Sequence, residues 1–317
     1  MKIILITPAA KLAKNGNRTT AVRWARILRE LGHQVRVDVE WDGRPADMMV
    51  AIHAWRSAQS ALQFRERYPK RPLIVLLAGT DIYRFQKSHP QKTYRCMEIA
   101  DGLACLHEQV HRSIPAEFTS KLHVVHQSAS PLSMARKPSV RHFDICVVGH
   151  LRKEKDPLRT AMAVRNMPPD SKIRVIHLGK AHSADWAEKA EKEMVRNPRY
   201  QWMGEVPGWR VRREFAKTHL MVLSSIMEGG ANVISEAVAA GVPIIASDIE
   251  GAKGLLGESY DGYYPVKDTQ ALGALLVRAE VDSSFLKRLE QQCAAKLSQF
   301  TLERESAEWR VLLDAVL

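Results

Sequence analysis

Short, wholly apolar runs alternate along this chain with longer stretches whose apolar positions recur every three or four residues. KIILIT, VRVDVE, MMVAI, LIVLLAG, GLACL and HVVHQS read as buried strands, and stretches such as RTTAVRWARILRELG between them as amphipathic helices. A second series follows with DICVVGH, IRVIHLG, YQWMG, LMVLSS and PIIASD, again separated by helical patterns. Strands that alternate with helices and are apolar on both faces predict parallel sheets covered on both sides. The fold class is therefore α/β, two doubly wound, Rossmann-like domains. SPLSMARKPSVRH, rich in Pro, Ser and basic residues and without periodicity, predicts the linker, with a boundary near Arg141: domains 1–140 and 141–299. The last pattern, TLERESAEWRVLLDAVL, predicts a helix over 300–317 that packs back on the first domain. In open sheets of this kind ligands sit beyond the carboxyl ends of the strands, so a cleft between the two domains is the expected site.

Length agrees with this division, since 317 residues exceed one ordinary core. The start, MKIILITPAAKLAKNG, has a short apolar stretch and no cleavage-site pattern, and no run approaches the roughly 18 apolar residues of a membrane span. A cytoplasmic location without stable membrane insertion is expected. Cys96, Cys105, Cys146 and Cys293 stand singly, without metal or redox spacing, which predicts reduced, buried thiols and no metal site. The net charge of +12 changes the picture more. Met1 to His142 carries 23 Lys and Arg against 11 Asp and Glu, whereas Phe143 to Leu317 carries 24 against 24. The basic excess lies wholly in the first half and calls for an anionic partner there. Nucleic acid is excluded as that partner because no aromatic-interleaved basic run or binding motif accompanies the charge.

The chemistry concentrates in MEGGANVISEAVAAGVPIIASDIEG, Met227 to Gly251. LMVLSS predicts a strand, SIMEGGA the loop after it and NVISEAVAAG a helix with Asn232 as N-cap, ended by Gly241 with Pro243 beyond. Glu228 is thus placed at a strand's carboxyl end, Gly229 and Gly230 leave amides open at a helix N-terminus, and Glu236 lies one turn inside. Such an N-terminus attracts phosphate, and an ionised Glu236 can accept two ribose hydroxyl protons, so a nucleotide-sugar fits. This pattern, with Val233 behind Asn232, resembles the signature of the retaining glycosyltransferases of family 4, which have the GT-B fold. GHLRKEKDP, Gly149 to Pro157, is similar to that family's strand-end loop, in which Arg152 and Lys155 would hold the donor diphosphate; Asp156 stands where the family usually has Gly. The resemblance implies a UDP-sugar donor in the second half and no metal or other cofactor, because Arg152 and Lys155 neutralise the leaving UDP.

Three loops of the basic half face the acceptor question. The first strand runs into a glycine-bearing turn and a helix start, with Lys11, Lys14, Gly16, Asn17, Arg18, Thr19 and Thr20, a second predicted anion site. HAWRSA brings His53 and Arg56 to the end of another strand, and GTDIYR brings Thr80, Asp81 and Arg84 to the end of a third. GNRTTAVRWA, HAWRSA and GTDIYRF together resemble one subgroup, the selenosugar synthases of selenoneine biosynthesis (SenB type). That resemblance implies transfer of a sugar from UDP-N-acetylglucosamine or UDP-glucose to the selenium of selenophosphate, giving a 1-seleno-sugar, UDP and phosphate. It implies acceptor contacts from Gly16, Asn17, Arg18, Thr19, Thr20, Arg56, Thr80, Asp81 and Arg84, and catalytic roles for Glu228, His53, Arg152 and Lys155. The competing expectation is a family 4 transferase with an ordinary hydroxyl acceptor, from a sugar, a lipid-linked sugar or a small molecule.

Overall fold

The computed structural model describes every residue except Lys14. Among the described residues two units separate by their internal contacts. Met1–Ser128, Glu228–Asn232 and Thr301–Leu317 form the first, and Ala129–Met227 with Val233–Phe300 the second. The break falls at Ser128–Ala129, upstream of the expected Arg141, and the reason is local. Lys137 N–H donates to the Ala216 carbonyl at 2.7 Å, Ser139 N–H to Lys217 at 3.2 Å and Arg136 Nη2 to Thr218 at 2.9 Å. The aperiodic segment is pinned to the second unit by these bonds rather than hanging free before it.

The first unit is one parallel sheet of β1 (Lys2–Ile6), β2 (Gln34–Asp38), β3 (Met48–Ile52), β4 (Leu73–Leu76), β5 (Gly102–Cys105) and β6 (Leu122–Val124), in the order β2-β1-β3-β4-β5-β6. The chain proceeds outward from β1 to β2, then returns to β3 on the other side of β1. That reversal opens a crevice at the carboxyl ends of β1 and β3. The helix Gly16–Glu30 follows β1 and buries Ala21, Trp24, Ala25 and Leu28, one stripe at helical spacing. Its Trp24 meets Trp309 edge to face, 4.8 Å between centroids, so the closing helix Leu302–Val316 covers this face of the sheet. Burying a side chain the size of Leu28 stabilises the fold by about 1.5–3 kcal/mol, and each alanine methyl by about 1 kcal/mol. A Cβ on Gly102 of β5 would come within 2.9 Å of Leu312 and Val316, which is why glycine opens that strand.

The second unit repeats the scheme with β7 (Phe143–Val148), β8 (Ile173–Leu178), β9 (Tyr200–Trp202), β10 (Leu220–Leu223), β11 (Ile244–Ser247) and β12 (Tyr263–Tyr264), all parallel, in the order β12-β11-β10-β7-β8-β9. The two-residue β12 is too short to leave a hydrophobic pattern, and the sequence did not announce it. Here the order reverses between β7 and β10. No helix among the described residues is long and apolar enough to cross a membrane.

Candidate functional site

In the second unit the carboxyl ends of β7 and β10 bound a small recess lined by Gly149, His150, Lys155, Ser224 and Ser225 among others. The loop from Gly149 to Pro157 folds over a short turn, Lys153–Lys155, that ends at Asp156 with φ 41° and ψ 55°. This is the left-handed conformation that glycine takes most easily and Asp tolerates. The departure from the family pattern at Asp156 therefore leaves the loop's path available. Its carboxylate pairs with Arg159 Nε at 2.8 Å, and Arg159 Nη1 donates onward to Thr269 at 2.6 Å. Ser224 donates to the carbonyls of Lys155 and Asp156, and Ile226 N–H to that of Glu154, so the basic turn is tied to the loop after β10. Arg152, half-buried, has an Nε shielded from solvent and without a partner among the described residues. An unpaired buried donor on a cation costs about 1–3 kcal/mol.

Sequence reasoning missed the residue that holds this loop. His177 of β8 is fully buried; its Nε2–H donates to the Gly149 carbonyl at 3.0 Å, while Nδ1 accepts from the Tyr200 hydroxyl at 3.0 Å. Burial lowers its pKa to about 4, so the ring is neutral and the donor role of Nε2 is fixed. Opposite, Gly179 passes so near that a Cβ there would lie 1.9 Å from the Gly149 oxygen. A polar residue inside the apolar run IRVIHLG was the available signal. The cause lies in packing between strand ends, which a sequence does not display.

Glu228–Asn232 groups with the first unit. Glu228 is buried, and Gly230 takes φ 122° with the place of its absent Cβ 2.3 Å from Leu106 Cβ, a position only glycine can occupy. Gly229 passes the backbone of Gly79 just as closely. The helix begins at Asn232 itself, not after it, and the Asn232 side-chain oxygen accepts from Arg23 Nη1 at 3.0 Å. Val233 is buried in the second unit and Glu236, half-buried, follows one turn on.

On the first unit, Gly16, His53 and Thr80 follow β1, β3 and β4, three neighbouring parallel strands, so the loops they belong to emerge on one edge of the sheet. Asn15 caps the first helix by accepting the Arg18 N–H at 3.1 Å, and Thr19 donates to the Asn15 carbonyl at 3.2 Å. The amides of Gly16 and Asn17, ahead of the capped one, have no partner among the described residues. The Arg18 and Arg56 guanidiniums have no side-chain partner among the described residues, and Arg84 lies over the Phe85 ring at 5.4 Å. Lys11 is exposed; Lys14 lies outside the described residues.

Three expectations need correction here. Thr20 is buried and its hydroxyl bonds the Gln127 side chain at 2.6 Å, inward of the helix, so it does not face an acceptor. Asp81 is 1% exposed, and its carboxylate takes the amides of Ala54, Trp55 and Ala78 at 2.8, 3.0 and 2.9 Å and His53 Nδ1 at 2.7 Å. It is an internal anchor rather than an acceptor ligand. His53 is 2% exposed at φ 79°, and its other nitrogen lies 3.0 Å from Thr80 Oγ1, so the ring is held inside the loop rather than at its surface.

Solved structures share this architecture across the chain. A sucrose-phosphate synthase from Thermosynechococcus elongatus is 15% identical with a TM-score of 0.82, covering 98% of each chain. Anabaena HepE, solved with UDP and glucose, is 14% identical with a TM-score of 0.78, covering 99% of each. The fold is GT-B, as expected from the sequence. A curated relative is TuaC of Bacillus subtilis (strain 168), provisionally named a teichuronic acid biosynthesis glycosyltransferase. It is 29% identical over 133 residues, 42% of this chain and 32% of TuaC, so the match spans about a third of that relative's length. The model of the family described as Glycosyl transferases group 1 matches residues 135–295, half of the chain and nearly all of the second unit, and the chain belongs to that family.

Proposed function

We propose that this glycosyltransferase is a selenosugar synthase, moving N-acetylglucosamine or glucose from the UDP-sugar to the selenium of selenophosphate. The products are a 1-seleno-sugar, UDP and phosphate. The observation that carries the reading is the convergence of three stretches, GNRTTAVRWA, HAWRSA and GTDIYRF, on one edge of the first sheet, in the half that holds all of the excess positive charge. A small anionic acceptor fits that edge: the Gly16 and Asn17 amides and the Arg18 and Arg56 side chains supply donors for phosphoryl oxygens.

The diphosphate and ribose contacts are assigned to the second unit. Arg152 and Lys155 neutralise the diphosphate as it departs, without a metal or other cofactor, and the His177 bond holds Gly149 so that the loop is formed before substrate arrives. Glu236 accepts from the ribose hydroxyls, and Glu228 bonds the sugar and opposes positive charge at its anomeric carbon. Selenium is already anionic, so no base is needed as it attacks; front-face attack through a short-lived ion pair would retain configuration. HepE, crystallised with UDP and glucose, supports a UDP-sugar as donor. The likeness to TuaC favours a second reading, an ordinary hydroxyl acceptor.

Release of UDP from each UDP-sugar, with and without selenophosphate generated in place and under exclusion of oxygen, tests the proposal. Selenophosphate-dependent UDP and the selenium isotope pattern on the sugar are expected. Equal UDP release in both cases, with no selenium in the product, would leave the donor chemistry and return the acceptor to a hydroxyl.

A further inference from the structure

Asp81, His53 and Thr80 stand in the order carboxylate, imidazole, hydroxyl. His53 Nδ1 lies 2.7 Å from Asp81 Oδ1 and 3.3 Å from the Arg56 amide, and Nε2 lies 3.0 Å from Thr80 Oγ1; a proton on Nδ1, which the adjacent carboxylate favours, leaves the Nε2 lone pair toward Thr80. Three backbone amides lock the carboxylate in place, and the loop it holds includes His53 at a positive φ rarely adopted outside glycine. The two inner members are buried and Thr80, half-buried, is the outer one. This is the geometry in which a hydroxyl loses its proton to a histidine that a carboxylate orients. Attack by selenium needs no such device. Loss of the phosphoryl group does, because water must be deprotonated as it attacks phosphorus.

We infer that Asp81–His53–Thr80 is a proton relay for the second half of the reaction, hydrolysis of the selenium–phosphorus bond in a glycosyl selenophosphate intermediate. The inference rests on the selenosugar reading. Water oxygen bonds to phosphorus, the phosphorus–selenium bond breaks, and its electron pair leaves on selenium. The water's proton passes to Thr80 Oγ1 as the Thr80 proton moves to His53 Nε2, and Asp81 stabilises the imidazolium that forms. The imidazolium then returns a proton through Thr80 to the departing selenium, and the phosphate keeps the water's oxygen and second proton. Thr80 follows β4, beside β3 and on the same sheet edge as the Gly16–Asn17 helix start that would hold the phosphoryl oxygens, so the relay ends where that bond is broken.

The test is the ratio of phosphate to UDP released by Thr80→Val, Thr80→Ser and Asp81→Asn, with mass spectrometry of the sugar product. Wild type and Thr80→Ser should give a ratio near one. Thr80→Val should drop it at least tenfold and accumulate the phosphorylated seleno-sugar, and Asp81→Asn should lower it as well. A ratio that stays near one in Thr80→Val, however far its rate falls, overturns the relay. Wild type in deuterium oxide supplies a readout independent of any variant's folding: single-turnover phosphate release should slow by about twofold or more while UDP release does not, and equal slowing of both sinks the idea. UDP release by wild type with no selenium in the sugar defeats the selenosugar reading itself, and the relay falls with it for lack of a substrate.

Discussion

At the scale of single residues, two positions of the donor loop carry separable jobs. His177 holds Gly149 as a neutral donor, with its pKa lowered to about 4 by burial. A histidine whose folded pKa lies below its unfolded one binds its proton more readily when unfolded. Its contribution is therefore intact above about pH 6.5 and is lost as pH falls toward 4, by an amount on the order of 3 kcal/mol. Thermal unfolding of His177→Gln should show a flatter acid limb over that window, with UDP affinity kept because the amide can still donate. His177→Leu should release the Gly149 carbonyl and weaken UDP binding about tenfold by calorimetry; unchanged affinity would remove Gly149 positioning from the mechanism. Asp156 is the second position. Asp156→Gly loses the Arg159 pair but relaxes the left-handed turn, and a change in stability within about 1 kcal/mol is expected, whereas Asp156→Val should cost about 2 kcal/mol or more.

At the scale of elements, the closing helix Leu302–Val316 is docked by charge as well as by Trp309. Glu305, fully buried, accepts from Arg23 Nε at 3.0 Å, Trp24 Nε1 at 2.9 Å and the Ser128 amide at 2.9 Å. Beside it, His126 is clamped between Glu308 at 2.8 Å and Glu108 at 3.0 Å. Burial pulls the His126 pKa down, but the two glutamates outweigh it and raise it to about 9, while the pair lowers those of Glu108 and Glu308. A raised histidine pKa stabilises fully below about pH 6.5, and that contribution disappears as pH climbs through about 9. Circular dichroism melts should lose stability between those limits, and His126→Gln should abolish the slope; an equal slope in the variant would assign it to other groups. Elements of this kind mark the limit of what the sequence discloses. The helix itself is plain in TLERESAEWRVLLDAVL, and Trp309 announces a buried face. The ring of partners around His126 joins segments far apart in sequence, as His177 and Gly149 do, and no spacing rule reaches across such a distance. Thr20 and Asp81 were misassigned for the same reason, since a polar residue at a helix start or in a strand-end loop looks alike whether it turns outward to a ligand or inward to brace its neighbours.

At the scale of the whole molecule, the alternation of strand and helix determines both sheets, and each sheet's reversal of order determines where its crevice lies. Charge then distinguishes the two halves. The segment through His142 carries 23 basic against 11 acidic side chains, whereas the remainder is balanced. A long-range field from such an excess raises the local concentration of a small anion and is screened beyond about 8–10 Å at ordinary salt. Short charge-assisted bonds to a diphosphate inside a recess are screened far less. If selenophosphate is the acceptor, as proposed, raising sodium chloride from about 0.05 to 0.5 M should therefore raise its KM several-fold and leave KM for the UDP-sugar within about twofold. Because both substrates are anions, a general effect of salt on anion binding would move the two constants together. Only an acceptor drawn by the basic half should separate them. Equal changes would mean that the excess charge serves solubility and that acceptor binding rests on contacts at the sheet edge alone, which the single variants Arg18→Ala and Arg56→Ala would then resolve by their separate effects on the same constant.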